Sequence, residues 1–194
     1  MAEYLTNTTD LTKVASAIRA KGGTSDPLVY PDGFVTAIQA IETGGGGGSD
    51  EIVNSLIDRT ISGAYVNNTV TIVGRYGLSN CTKLTSVVLP AVQITNANAM
   101  LSCSALTKAD FSNLQHIQHS TFYGDKKFAT LIIRTQSVAK LDATSAFKDT
   151  LIASGKGYIY VPSALVDSYK TATNWSTYAN QIRAIEDYPD ITGV

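Results

Sequence analysis

Apolar side chains return at one fixed period between Leu78 and Ile133, and this period narrows the folds open to the chain more than any other feature. The positions are Leu78, Cys81, Leu84, Val87 and Leu89, then Met100, Cys103, Leu106, Ala109 and Phe111, then Phe122, Asp125, Phe128, Leu131 and Ile133. The step from Leu78 to Met100 equals the step from Met100 to Phe122, and every other member of the set keeps it. Three matches at one period predict a solenoid, in which each repeat is one coil that buries its apolar edge only against its neighbours. A degenerate fourth repeat runs from Phe147 through Leu151 to the strand Tyr158-Ile159-Tyr160-Val161 and stops at Pro162. The expected core is a stack of about four coils, covered at its end by a helix over about 163–171 and by Trp175, Tyr178 and Ile182.

The parts that precede the repeats differ in character. Leu11, Val14, Ala15 and Ile18, and then Phe34, Ile38 and Ile41, recur at helical spacing, so residues 8–43 read as two short amphipathic helices. Lys21-Gly22-Gly23 ends the first and Pro31-Asp32-Gly33 opens the second. Gly44 to Gly48 is an unbroken glycine run, a flexible hinge that lacks the Lys-Ser/Thr of a phosphate-cradling loop. Ile52, Leu56 and Ile57 suggest a short helix, and Thr69-Val70-Thr71-Ile72-Val73 alternates as a strand. The chain therefore divides into a helical module (1–43), a Gly-rich linker (44–49) and a repeat domain (50–194), an α+β arrangement with a small solenoid as its main part.

Composition removes several classes of function. A net charge of −1 with 16% charged residues provides no footprint for a phosphate backbone, so nucleic acid is not an expected partner. No stretch reaches the roughly 20 apolar residues of a spanning helix, and the first residues lack the basic and apolar regions of a signal peptide, so membrane insertion is not expected. Cys81 and Cys103 lie one repeat apart and so side by side in the stack; buried apolar packing is favoured over a disulfide.

The unit Leu78-Ser79-Asn80-Cys81-Thr82-Lys83-Leu84-Thr85-Ser86-Val87-Val88-Leu89-Pro90 resembles the bacterial BspA-like leucine-rich repeat. Residues 100–111 keep the Cys and Leu of that pattern, whereas 122–133 replace the Cys with Asp125. The stretch Tyr160-Val161-Pro162-Ser163-Ala164-Leu165, with Asn174-Trp175 after it, is similar to the terminal segment of such arrays. Ahead of the hinge, Thr9-Asp10-Leu11-Thr12-Lys13-Val14-Ala15 through Lys21-Gly22-Gly23-Thr24, and Tyr30-Pro31-Asp32-Gly33-Phe34, resemble a module of minor structural and tail proteins from phages and prophages of gut Firmicutes. The resemblance implies a virion protein assembled in the host cytoplasm. Its N-terminal module would contact other virion proteins and form a homo-oligomer, and its repeats would meet a host surface protein or glycan. A bacterial adhesin-like module is the alternative.

Alternation along the strands puts Val87 and Leu89 inside and leaves an outward row as the candidate binding surface. That row holds Ser86, Val88, Lys108, Asp110, Thr130, Ile132, Arg134, Tyr158 and Tyr160, whose tyrosines suit stacking on a sugar or a protein. His116 and His119 are three apart but lack a third ligand, and are read as exposed loop residues rather than a metal site. No nucleophile motif accompanies them. Glycan hydrolysis by a carboxylate pair among Asp110, Asp125, Asp142 and Asp149 ranks last, since all four glutamates lie outside the repeats. The expectation is a non-enzymatic binding protein with no cofactor and no metal.

Overall fold

The computed structural model describes residues 51–52 and 59–193. The helical module 1–43, the linker 44–49 and the helix expected around Leu56 and Ile57 lie outside the described residues, apart from Glu51–Ile52, which pair as a strand rather than a helix.

Two parallel sheets form the domain. The first is a ladder of two-residue strands, β1 (Glu51–Ile52), β3 (Ile72–Val73), β5 (Ile94–Thr95), β7 (His116–Ile117) and β9 (Lys140–Leu141), paired in that order. The second pairs β2 (Ser62–Val66), β4 (Lys83–Val88), β6 (Lys108–Phe111), β8 (Thr130–Ile133), β10 (Tyr158–Val161) and β11 (Ile182–Ala184) in chain order. Registers such as Ser86↔Lys108 and Lys108↔Thr130 keep the period of the sequence, so residues one period apart stand in one column.

Six strands line the larger sheet where the sequence suggests about four coils. The outer two keep the pairing but lose the Leu-Cys pattern. Strand β2 keeps the same offset at Ala64↔Ser86, yet a register shift after Gly63 blurs its alternation. Ile182, expected in the cap, instead pairs with Ile159 and starts β11. Of the strand expected over Thr69–Val73, only Ile72 and Val73 join a ladder, because Asn67 Oδ1 accepts the amides of Thr69 and Val70, each at 3.0 Å, and turns the chain there.

Columns of buried side chains fill the interior. Leu78, Leu84, Val87, Leu89, Met100, Leu106, Phe111, Phe122, Phe128, Leu131 and Ile133 are all fully buried. Toward the far end the filling becomes aromatic: Phe122 stacks on Phe128 at 4.3 Å and on Phe147 at 5.6 Å, and Phe147 meets the edge of Tyr178 at 5.2 Å.

The third side of each coil carries no strand and turns on left-handed residues. Tyr76, Asn98 and Ser120 (φ 60°, 60° and 57°) form one column, and Asn80, Ser102 and Gly124 (φ 58°, 61° and 79°) another. A left-handed non-glycine residue costs on the order of 1 kcal/mol, and here neighbouring coils offset that cost with backbone bonds. Leu78 N–H donates to Ala99 O at 2.8 Å, Met100 to Thr121 O at 2.9 Å and Phe122 to Ala146 O at 2.8 Å.

The cap forms as expected, as a 3-10 turn (Ser163–Leu165), α1 (Val166–Thr171) and a 3-10 segment (Trp175–Gln181). It seals the open edge of β9 with side chains. Tyr169 Oη accepts the Ala139 N–H at 2.9 Å, Trp175 Nε1 donates to Ala139 O at 2.6 Å, and Asn174 Nδ2 donates to the carbonyls of Leu141 and Asp142 at 2.8 and 2.9 Å.

Arg59, Cys81, Cys103 and Asp125 occupy equivalent places in successive coils. Both cysteines are buried; Arg59 Nη1 approaches Cys81 Sγ at 3.8 Å, and Cys103 Sγ donates to Leu78 O at 3.0 Å. The neighbouring Cys81 sulfur, followed by burial, pushes the Cys103 thiol far up, which keeps it protonated. Asp125 is fully buried. Its Oδ1 accepts the Cys103 N–H at 2.6 Å, while Oδ2 has no hydrogen-bond partner among the described residues. Burial, only partly opposed by that amide, pushes its pKa from 3.8 up to about 9.

Two predictions test this architecture. Leu106→Ala should cost about 2–5 kcal/mol in denaturant unfolding and Ser86→Ala almost nothing, and equal losses would reverse the inward and outward assignment. Because the folded state binds the Asp125 proton more tightly than the unfolded state, the stability due to that proton is complete below pH 3.8 and is lost as pH rises through about 9. Asp125→Asn should therefore gain on the native chain steadily across this window; parallel stability profiles for the two would show that Asp125 is not a buried acid.

Candidate functional site

The outward face of the six-stranded sheet follows from register. One column runs Ala64, Ser86, Lys108, Thr130, Tyr158 and the next runs Val66, Val88, Asp110, Ile132, Tyr160, Arg183. Every predicted binding residue lies on these columns except Arg134, which follows β8 directly. Their exposure is uneven. Val66 and Tyr158 stand open at 57% and 39%, and Ser86, Val88, Lys108, Thr130 and Arg134 are partly exposed.

Asp110, Ile132 and Tyr160 are buried on this face, against the expectation of an open row, because residues 185–193 fold back across it. Ile185 and Tyr188 pack on Ile132 and Tyr160, with the Tyr188 ring edge-on to Tyr160 at 5.4 Å. Lys108 Nζ donates to Ile191 O at 2.8 Å, and Arg134 Nη2 donates to Thr192 O. Arg134 is itself aimed by a two-pronged bond to Asp110, Nε to Oδ1 at 2.9 Å and Nη2 to Oδ2 at 2.8 Å. The Asp110 bond is the main reason that the guanidinium pKa is raised. Burial, with Tyr188 and Tyr158 nearby, also raises the Tyr160 hydroxyl. Arg183 lies 4.8 Å over the Tyr158 ring.

Sequence reasoning missed Arg183, Ile185, Tyr188 and Thr192. The alternation of Ile182, Arg183 and Ala184 offered a signal, since it repeats Ile159, Tyr160 and Val161 at nearly the period of the coils.

On the opposite sheet, His116 is a strand residue of β7 and not a loop residue as expected, because it pairs in the ladder with Ile94 and Lys140. Its Nε2 lies 2.8 Å from Asp142 Oδ1, which Lys140 Nζ also reaches at 2.8 Å. Lys140, then His116, lowers the Asp142 pKa. His119 is exposed. Among the described residues no group of three or more His, Cys, Asp and Glu side chains could hold a metal ion, and no helix is long and apolar enough to cross a membrane.

Of the four aspartates weighed for hydrolysis, Asp110 is bound by Arg134, Asp125 is buried against Cys103, Asp142 is shared by His116 and Lys140, and Asp149 is an exposed residue with left-handed backbone. The face brings together three cations, Lys108, Arg134 and Arg183, with a tyrosine cluster and an apolar floor on paired strands.

The profile of the BspA type leucine rich repeat region matches residues 58–158 as six copies. The crystal structure of the T. pallidum leucine rich repeat protein is similar at a TM-score of 0.39 and 20% identity, over 51% of this chain and 57% of that one, so the match spans less than two thirds of that protein. Among curated proteins none matches. BspA-type proteins are generally non-enzymatic, and repeats of this kind point to protein binding or a surface adhesin-like role. With more than half its length matched by that profile, the chain belongs to the BspA-type leucine-rich repeat family.

Proposed function

We propose that this chain is a non-enzymatic structural protein of a phage virion, in a tail, fibre or decoration position, whose repeat domain attaches to a surface or a partner protein through the outward face of its larger sheet. The observation that carries the attachment reading is that face: Val66, Val88, Lys108 and Tyr158 remain accessible on strands held in one continuous ladder. A mixed apolar, cationic and aromatic strip suits a protein or glycan ligand. The virion setting rests on the likeness of residues 9–34 to a phage tail module, with the glycine run giving reach.

Family membership alone favours a second reading, a bacterial adhesin-like module in which the N-terminal segment only raises avidity by gathering copies.

Deletion of 1–43 separates the two. On the virion reading, the shortened chain keeps its cooperative melt but is lost from purified particles. Unchanged incorporation, measured by quantitative mass spectrometry of particles, would sink it. Light scattering should also find the full chain oligomeric and residues 50–194 monomeric.

A further inference from the structure

The closing segment is held on the outward face as a ligand is held, not as a strand is. Backbone pairing with the sheet ends where Ile185 N–H donates to Val161 O at 2.9 Å. Beyond that point, the backbone hydrogen bonds donated by Ile191, Thr192 and Gly193 stay within residues 188–193, and that of Tyr188 reaches back only to Ile185 O at 3.1 Å. Its hold on the face comes from side chains: the Tyr188 ring against Tyr160, and two carbonyls taken by Lys108 and Arg134.

The segment also carries its own shape. Pro189 occupies the first position of α2 (Pro189–Thr192), Gly193 caps it at φ 73°, and Thr192 Oγ1 lies 2.8 Å from the carbonyl of Tyr188 within the segment and 3.1 Å from that of Ile185 before it. The proline narrows the backbone choices of the turn even when it is detached, which lowers the entropy lost on docking. The receiving side is oriented by the sheet itself, because the two bonds by which Asp110 holds the Arg134 fork involve no atom of the segment.

We propose that the sheet face over β6, β8 and β10 is a peptide-binding site for an aromatic-proline turn that presents backbone carbonyls to Lys108 and Arg134, with residues 188–193 as its built-in, displaceable occupant. A partner bearing such a turn competes for the face with the protein's own segment. The inference deepens the reading of this face as the attachment surface.

The test uses a fluorescein-labelled peptide of residues 186–194 and a chain ending at Asp187, which retains Ile185 in the core. The shortened chain should bind the peptide saturably in fluorescence anisotropy, and the Tyr188→Ala peptide should bind about tenfold more weakly, as loss of a central aromatic anchor implies. The full chain, whose own segment competes, should bind the native peptide at least about tenfold more weakly than the shortened chain does. A shortened chain that melts cooperatively yet binds no peptide overturns the proposal, as does equal binding by the full chain. Should the shortened chain not fold, Tyr188→Ala in the full chain is expected to admit the peptide, and no binding there overturns the proposal as well. No particle or surface ligand enters this measurement, so failure of the virion or attachment reading leaves its outcome untouched.

Discussion

Parallel pairing at a constant chain offset is the constraint on which the rest of this domain rests. Lys108 sits between Ser86 and Thr130, and Ile94 between Ile72 and His116, because both sheets advance by the same length of chain at each coil. Once both sides of a coil step together, its interior residues fall into columns and its turns must recur at fixed places. The left-handed columns through Asn98 and Asn80 mark those places. The backbone bonds across the third side, from Leu78 to Lys148, then close the central coils against one another.

This regularity explains how a carboxyl can sit where two coils carry cysteine. Asp125 replaces a small buried group in a column, and its Oδ1 meets the amide of Cys103, which the register has already brought within reach. The second oxygen finds nothing to bond among the described residues, so the group stays neutral instead of bringing a charge into the apolar stack. Arg59, at the other end of the column, is partly exposed and directs its donors to the carbonyls of Gly77, Ser79 and Tyr76. Along these four successive places the two polar side chains thus flank the two thiols.

The central coils were legible in the sequence because burial there is decided by period alone: Leu84, Leu106 and Phe128 face one interior in successive turns. The first and last coils were not, since Ser62–Val66 and Ile182–Ala184 are recognised by what they pair with and not by what they bury. The candidate face was legible as a column and illegible as a surface. Strand alternation places Ile132 and Tyr160 outward, but nothing local in the sequence announces that Ile185 and Tyr188 return to cover them. His116 misled for a related reason, as a two-residue strand is too short to show alternation.

The coil that carries Thr130 round to its partner Tyr158 is longer than the one that carries Lys108 to Thr130. A small part of the extra chain enters before β9, since Lys140 lies further along from its partner His116 than His116 does from Ile94, and the larger part follows β9. Neither ladder breaks, because the added chain leaves through corners, with Asp149 and Gly155 left-handed, and returns at Gly157, where even a methyl group would strike Ala129. Length in this architecture is therefore quantised along the strands and free at the corners. Whole coils can be gained or lost by duplication, and new loops can be grafted at the corner near Ala153, whereas a single insertion inside β6 would set two interfaces out of step at once.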